Sequence, residues 1–432
     1  MTRRSNYIPL DVYINSRLVG HLARAKSGAV DFRYDRNWLN WEHSFPISLS
    51  LPLREDRFSG ETVIAVFDNL LPDNDHIRRR IAERKQAAGV DAFSLLSVIG
   101  RDCVGAMQFL PQGLEPGKSG AIDARKIDEA GIEALLKGLA ANPLGLGDDQ
   151  DFRISLAGAQ EKTALLHREG QWHIPHGDTA TTHIFKPAIG VVPGGVDLSG
   201  SVENEHLCMQ LVAAMGLPVA STQMAVFGET NVLIVERFDR KWAHDNRLLR
   251  LPQEDFCQAL SVHSAQKYER DGGPGIVQLI NLLRGSDNPG DDQKKLMKAQ
   301  IIFWLLAATD GHAKNFSIFL HPGAGYSLTP LYDIMSAQPV YDAGQLPRTH
   351  LKLSMAVGQN RHCGIHDMTP RYFIETAKAC GMGESVVRGI FDEIKNDSDD
   401  AIGSTLSALP AEFPQKLAGS IIGGFKSRLR LL

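Results

Sequence analysis

The stretch Thr309-Asp310-Gly311-His312-Ala313-Lys314-Asn315 decides how this chain is read. It follows an apolar helical run, Lys294–Ala308, with Leu296, Ile301, Trp304 and Leu305 on its face, and it precedes a strand-like Phe316–Leu320. An Asp with an Asn five positions later is the spacing of a phosphoryl-transfer loop. The carboxylate accepts or orients the proton of the attacking hydroxyl, and the amide oxygen ligates magnesium. Magnesium is a hard cation that takes few protein oxygens besides those of phosphates, so one Asn and one further carboxylate suffice. A hairpin built from Phe316–Leu320, the turn His321–Gly325 and Tyr326–Leu331 leads to Tyr332-Asp333-Ile334, where Asp333 is the expected second ligand. Taken alone, the spacing is far more often a helix cap and a turn than a catalytic loop. Helix, loop, hairpin and second Asp in that order decide for chemistry.

Upstream lie candidate phosphate binders. Ser155-Leu156-Ala157-Gly158-Ala159-Gln160-Glu161-Lys162 joins two predicted strands (Phe152–Ser155 and Thr163–His167) through small residues, which let backbone N–H groups approach phosphate oxygens; a tight hairpin is the competing reading. Lys186 ends the predicted strand His183–Lys186 and suits the α/β-phosphates. Glu203 and Glu205 open the next helix, Val202–Met215, and are read as acids suited to its dipole rather than as partners of Lys186. Glu236-Arg237-Phe238 ends the last strand before the helical half, where a hinge would present backbone groups to a nucleotide base.

The rest of the chain frames these segments. Residues 7–34 alternate apolar and polar about Asn15-Ser16, as a small antiparallel sheet does. From Glu61 to Ile99 the period is helical. A glycine-rich linker begins near residue 112, and a helix is expected over Ile127–Leu139. Short strands follow to residue 238 (Gln171–Ile174, Gln223–Phe227 and Asn231–Phe238 among them), and helices dominate after 250. The expected units are 1–112, an amino-terminal subdomain; 113–150, linker and helix; 151–248, a sheet-rich ATP-binding lobe; and 249–432, a helical catalytic lobe. The fold class is α+β, two lobes with a cleft between them.

Composition sets outer bounds. With 43% hydrophobic and 22% charged residues over 432, the chain reads as an ordinary globular protein of more than one core. No run of eighteen apolar residues suggests a membrane span, and the start lacks the apolar stretch of a secretory signal. Five scattered cysteines suit reduced thiols in a cytoplasm. A net charge of −4 argues against nucleic-acid binding by bulk electrostatics. Gly113–Ser119 imitates a Walker A loop but has three residues between its glycines, and Pro116 removes an N–H, so it is read as linker. Gly272-Gly273-Pro274-Gly275 is read as a plain helix start, His173 and His176 as structural or exposed, and Arg78-Arg79-Arg80 with Arg84 and Lys85 as a solvated helix face.

The segments DFRISLAGAQEKTALL, THIFKP, VERFDR, LRLPQEDFCQ, GGPGI, ATDGHAKNFSIF and LTPLYDI, with FDNLLPD and IGRDCVGA near the amino end, together resemble the HipA family. The resemblance runs from about residue 10 to beyond 380. It implies a protein-kinase-like fold with an extra amino-terminal subdomain, and a serine/threonine kinase that is the toxin of a toxin–antitoxin pair. Such toxins arrest growth and promote multidrug tolerance (persistence) by phosphorylating an aminoacyl-tRNA synthetase, typically the glutamyl enzyme.

By the same resemblance, Asp310 is the catalytic base, Asn315 and Asp333 hold Mg2+, and Lys186 holds phosphates. Leu156, Ala157, Gly158, Ala159, Gln160 and Glu161 form the ATP loop. Glu236, Arg237 and Phe238 meet the base, with His312, Ala313, Lys314, Asn315 and Tyr332 nearby. Ser155 is the implied site of a self-inactivating autophosphorylation, since a phosphoserine beside a site for anionic phosphates should drive the loop outward. The implied partner is a HipB-like helix-turn-helix antitoxin, with which the toxin represses its own operon. The antitoxin reads operator DNA; Lys378 is the candidate for an added phosphate contact, while a basic position expected soon after it is Gly381 here. Two other readings stay open on the residues: a small-molecule kinase with the same site, and a non-catalytic, antitoxin-binding corepressor.

Overall fold

The computed structural model describes residues 7–145, 154–158 and 160–432. The amino-terminal part is a five-stranded antiparallel sheet, in the order Phe58–Ser59, Val30–Tyr34, Arg17–Arg24, Leu10–Ile14, Met107–Pro111. Asn15 and Ser16 turn the first hairpin with φ of 47° and 66°, the left-handed pair that matches the twist of the flanking strands. Helices Glu61–Asp68, Asp75–Lys85 and Ala92–Ile99 cover one face. Phe67 packs its ring 5.7 Å from Phe32 and 5.6 Å from Phe109, fixing helix to sheet.

A second, six-stranded sheet follows, ordered Thr222–Phe227, Thr230–Glu236, His183–Pro187, Thr163–Arg168, Gln171–Pro175, Ala124–Lys126. Its edge strand Ala124–Lys126 comes from the stretch read as linker; three residues with little apolar character carry no strand signal of their own. The helix in that stretch spans Glu129–Lys137, capped by Asp128, whose side chain accepts from Gly131 N. Of the expected strand Phe152–Ser155, residues 152–153 lie outside the described residues, and Ile154 makes a single parallel bridge to Asp102.

The carboxy-terminal part centres on helix Pro289–Leu306, read as one apolar face but buried continuously from Leu296 to Leu306. Helices Glu384–Ala408 and Gln415–Leu429 pack on it, and Trp304 Nε1 donates to Ile365 O at 3.1 Å, which lets a large ring sit fully buried. This part is not purely helical. Gln253–Asp255, Ser317–Leu320 and Tyr326–Leu328 form a three-stranded sheet, and Lys352–Val357 pairs with His362–Gly364. The hairpin read after Asn315 is therefore present, with Gln253–Asp255 as an unread third strand. Among the described residues no helix is long and apolar enough to cross a membrane.

Basic residues 78–80 do not form a solvated face. Arg78 is buried and bidentate on Asp68 at 2.6 and 3.1 Å, and Arg80 reaches Glu161 at 2.7 Å; only Arg79 points outward. Three consecutive helical positions point in three directions, about 100° apart. A run of like residues therefore says little about one face.

Candidate active site

Helix Pro289–Leu306 stops because Ala307 takes a left-handed φ of 53°. The chain then turns tightly. The Asp310 carbonyl accepts from His312 N at 2.8 Å and from Asn315 Nδ2 at 2.8 Å. These bonds fix the backbone of Asp310 and use up the amide nitrogen of Asn315, leaving Oδ1 as its ligand atom. Burial pushes the Asp310 carboxyl above its ordinary pKa, against a 2.8 Å hydrogen bond donated by the Tyr268 hydroxyl to Oδ1. His312 is buried and burial drives it down to about 3, so it is a neutral imidazole here.

Across the cleft Asp333, with φ 60°, meets Lys186 Nζ at 2.8 Å. Burial raises the Asp333 carboxyl, but the Lys186 and Lys162 ammonium groups more than offset it and hold the pKa at about 2. Lys186 also donates to Glu205 Oε1 at 2.7 Å. Burial opposes its charge, yet Asp333 and Glu205 keep it protonated beyond the ordinary lysine range. The reading of Glu205 as a helix-dipole acid is thus corrected: it is buried and orients Lys186. Glu203 accepts from Asn231 Nδ2 instead, at 2.6 Å.

The small-residue loop is pinned from both sides. Lys162 Nζ donates to the Ala157 carbonyl, and burial with the nearby Lys186 charge lowers its pKa to about 8. Gly158 has φ 110°, and a Cβ there would lie 2.5 Å from Lys162 Nζ. From the amino-terminal sheet domain, Asp73 N donates to Gly158 O at 3.0 Å, and Leu70 O accepts from Ser155 Oγ at 2.7 Å. The Asp73 carboxylate pairs with Lys267 at 2.7 Å and Lys314 at 2.5 Å; burial alone would raise its pKa, and the two lysines hold it far below the usual range. We expect Gly158→Ala to weaken ATP binding about tenfold, because forcing a Cβ into this φ costs about 1–3 kcal/mol. Titration with a fluorescent ATP analogue checks this.

The resulting cleft has a volume of about 370 Å³, within the span of small-molecule sites. Of the residues singled out by sequence, Ala157, Gly158, Gln160, Lys186, Glu236, Arg237, Phe238, Asp310, His312, Lys314, Asn315, Tyr332 and Asp333 line it. Leu156 and Ala313 are buried in the core, and Glu161 is held by Arg80. Ala159 lies outside the described residues. The Arg237 guanidinium is taken up by Asp239 at 2.9 and 3.0 Å, by Thr181 and by Cys103 O. Its N–H donates to Thr182 O at 2.8 Å and its carbonyl accepts from Arg240 N at 3.3 Å, so a nucleotide would meet only the spare lone pair of that carbonyl. Ile184, Val235 and Phe238, with Tyr332 5.8 Å from Phe238, make an apolar end suited to a base.

Asp73, Lys162, Glu205, Lys267 and Tyr268 are site residues that sequence reasoning did not assign. Lys162, directly after the loop, and Glu205, at the start of the helix after Lys186, carried a local signal. Asn315 Oδ1 and an Asp333 carboxylate held ionised are hard oxygen donors and fit magnesium. Among the described residues no cluster of three His, Cys, Asp or Glu exists to hold a metal.

Lys378 pairs with Glu384 at 2.8 Å and is 60% exposed. At Gly381 φ is 71° and a Cβ would approach Arg284 to 2.7 Å, so a basic side chain there would be both strained and crowded.

The family description HipA-like C-terminal domain matches residues 154–402, and HipA N-terminal domain matches residues 10–110. Y4mE of Sinorhizobium fredii is 35% identical, over 92% of this chain and 91% of its own length. The serine/threonine-protein kinase toxin HipA of Shewanella oneidensis is 29% identical, over 81% of this chain and 78% of its own. The solved complex of Shewanella oneidensis HipA, HipB and operator DNA contains a chain of the same fold. Its TM-score is 0.80 at 23% identity, covering 98% of this chain and 96% of that one. This chain belongs to the HipA family, and its α+β architecture is the kinase-like one of that family.

Proposed function

We propose that this HipA-family chain is a serine/threonine protein kinase and the toxin of a toxin–antitoxin pair. The observation that carries the reading is the cleft in which Asp310, Asn315, Asp333 and a doubly paired Lys186 converge. ATP enters with its base at Phe238 and its phosphates against Gly158, Lys162 and Lys186. Asp310 takes the proton of the acceptor serine, whose oxygen attacks the γ-phosphorus as the bond to the β,γ-bridging oxygen breaks and ADP leaves. Asn315 Oδ1 and the Asp333 carboxylate would hold magnesium, which when bound would supply positive charge to the transferring phosphates. Residues 1–112 act as an amino-terminal subdomain, 113–150 as linker and helix, 151–248 as the ATP-binding lobe and 249–432 as the catalytic lobe.

Family membership supports finer assignments. The protein substrate is an aminoacyl-tRNA synthetase, the glutamyl enzyme in the first instance, whose modification stops growth in the cytoplasm and gives drug tolerance. The partner is a HipB-like antitoxin that contacts operator DNA, with Lys378 the remaining candidate on this chain for a phosphate contact. Incubation of a cell extract with labelled ATP and this protein tests the reading. Label on a synthetase serine is expected; label only on a small molecule would mean a metabolite kinase instead.

Ser155 is the proposed self-inactivation site. Its hydroxyl is fully buried and donates to Leu70 O, while its N–H donates to Asp102 O at 2.9 Å. A phosphate carries no donor for that carbonyl once ionised and adds about −1.5 to −2 charges in a closed pocket, so the loop must leave to accommodate it. Ser155→Asp is expected to weaken ATP binding by more than about tenfold, since burying an unpaired charge costs more than about 1–3 kcal/mol. Ser155→Ala should bind ATP normally. Calorimetric titration of both variants distinguishes these outcomes.

A further inference from the structure

The Tyr268 hydroxyl stands where the acceptor hydroxyl of a kinase must stand. It donates to Asp310 Oδ1 at 2.8 Å, and both side chains line the cleft. Asp310 does not need this bond to be held in place, because its backbone carbonyl already accepts from His312 N and Asn315 Nδ2. The bond is solvent-accessible and joins segments 42 residues apart.

Tyr268 is nevertheless held firmly. Its ring meets His312 edge-on at 4.8 Å, and the Lys267 and Arg270 cations lie 5.4 and 5.0 Å from its centre. Lys267 is itself anchored on Asp73. The glycine run next to it completes the mounting. The Tyr268 carbonyl accepts from Asp271 N and Gly273 N at 3.0 and 2.9 Å, Gly272 takes a φ of 94°, and a Cβ on Gly273 would sit 2.0 Å from Gln266 O. Gly272-Gly273 thus fold the 266–273 loop back on itself so that Tyr268 projects at Asp310, a role that a plain helix start does not require.

We infer that Tyr268 is an acceptor-site gate: its hydroxyl occupies the acceptor position at Asp310, excluding water, and only an entering serine hydroxyl displaces it. This rests on the kinase reading of the cleft. Its chemical consequence is specificity. Water is the competing acceptor in any phosphoryl transfer from ATP. A phenol bonded to Oδ1 denies water that oxygen as the acceptor of its proton, while a serine delivered by a bound protein can displace one hydrogen bond.

The test is phosphate release from Mg2+·ATP by the full chain without protein acceptor, for wild type, Tyr268→Phe and Tyr268→Ala, with Asp310→Asn as the blank. Tyr268→Phe removes only the hydroxyl of a partly exposed side chain. Its hydrolysis above the blank is expected to rise about tenfold, equivalent to one hydrogen bond to a carboxylate of about 1.4 kcal/mol. Its KM for ATP should stay at the wild-type value, and Tyr268→Ala should rise at least as far. Hydrolysis at or below the wild-type rate in both variants, with ATP bound normally, overturns the gate and leaves Tyr268 a positioning or structural residue. The kinase reading is tested separately in the same samples with cell extract added: no label on protein serine from the wild type would end that reading and the gate with it, whereas serine label with no rise in hydrolysis overturns the gate alone.

Discussion

Asp310→Asn is expected to reduce phosphoryl transfer about 10³-fold while ATP binds as before. The size is that of removing a positioned general base. Asn preserves the shape of the side chain and an oxygen to accept from Tyr268, and the backbone bonds that hold the loop do not involve the carboxylate. Stability should not suffer. Burial raises the pKa of Asp310, so the folded state holds that proton more tightly than the unfolded chain. The resulting stabilisation is present below the unfolded carboxyl pKa and is lost as pH rises through the folded one. At neutral pH the ionised carboxylate, exposed on one side and desolvated by the cleft on the other, contributes no stability that Asn would lose. Rates from labelled ATP, with thermal midpoints measured at pH 7, check both halves of the expectation.

Asp102→Ala is expected to be the most damaging single change to the fold, at about 3–5 kcal/mol, the loss that follows when a buried charge is left without its partner. Asp102 lies 2.8 Å from Arg240, 3.1 Å from Arg250 and 3.4 Å from Arg237, and it accepts from Thr181 Oγ1 and N at 2.7 and 3.0 Å. All three arginine side chains are 2–3% exposed. Asp239 shares Arg237 and Arg240, whereas the ion pair of Arg250 is with Asp102. Burial alone would raise the Asp102 pKa, but the three guanidinium groups hold it far below the ordinary carboxylate range. This network ties the segment after helix Ala92–Ile99 to the strand end that carries Phe238, so its loss should loosen the cleft as well as the fold. Denaturant unfolding should show a lower midpoint for Asp102→Ala, with a smaller drop for Asp102→Asn.

The sequence disclosed the chemistry better than its support. Asp310, Asn315 and Asp333 sit within one helix–loop–hairpin unit and line one cleft, so the roles proposed for them could be read from local spacing. Glu205 was passed over because it shares a first helical turn with Glu203, and a dipole explains either acid. Two positions apart, however, they point about 200° from one another, and only one can face Lys186. Residue 205 is the buried one. Asp73 and Lys314 are 241 positions apart, and Asp102 meets Arg250 across 148; no periodicity or spacing reports such pairs. The six-stranded sheet was legible except for Ala124–Lys126, which is defined by its neighbour Gln171–Pro175 rather than by its own residues.

The central claim, that this cleft moves the γ-phosphate of ATP to a protein serine through Asp310, is tested most directly by phosphoamino-acid analysis. Purified wild type and Asp310→Asn are each incubated with γ-labelled ATP, Mg2+ and cell extract. Label on protein serine is expected with the wild type, and none above background with Asp310→Asn. Equal protein label with both proteins, or label confined to small molecules, would contradict it.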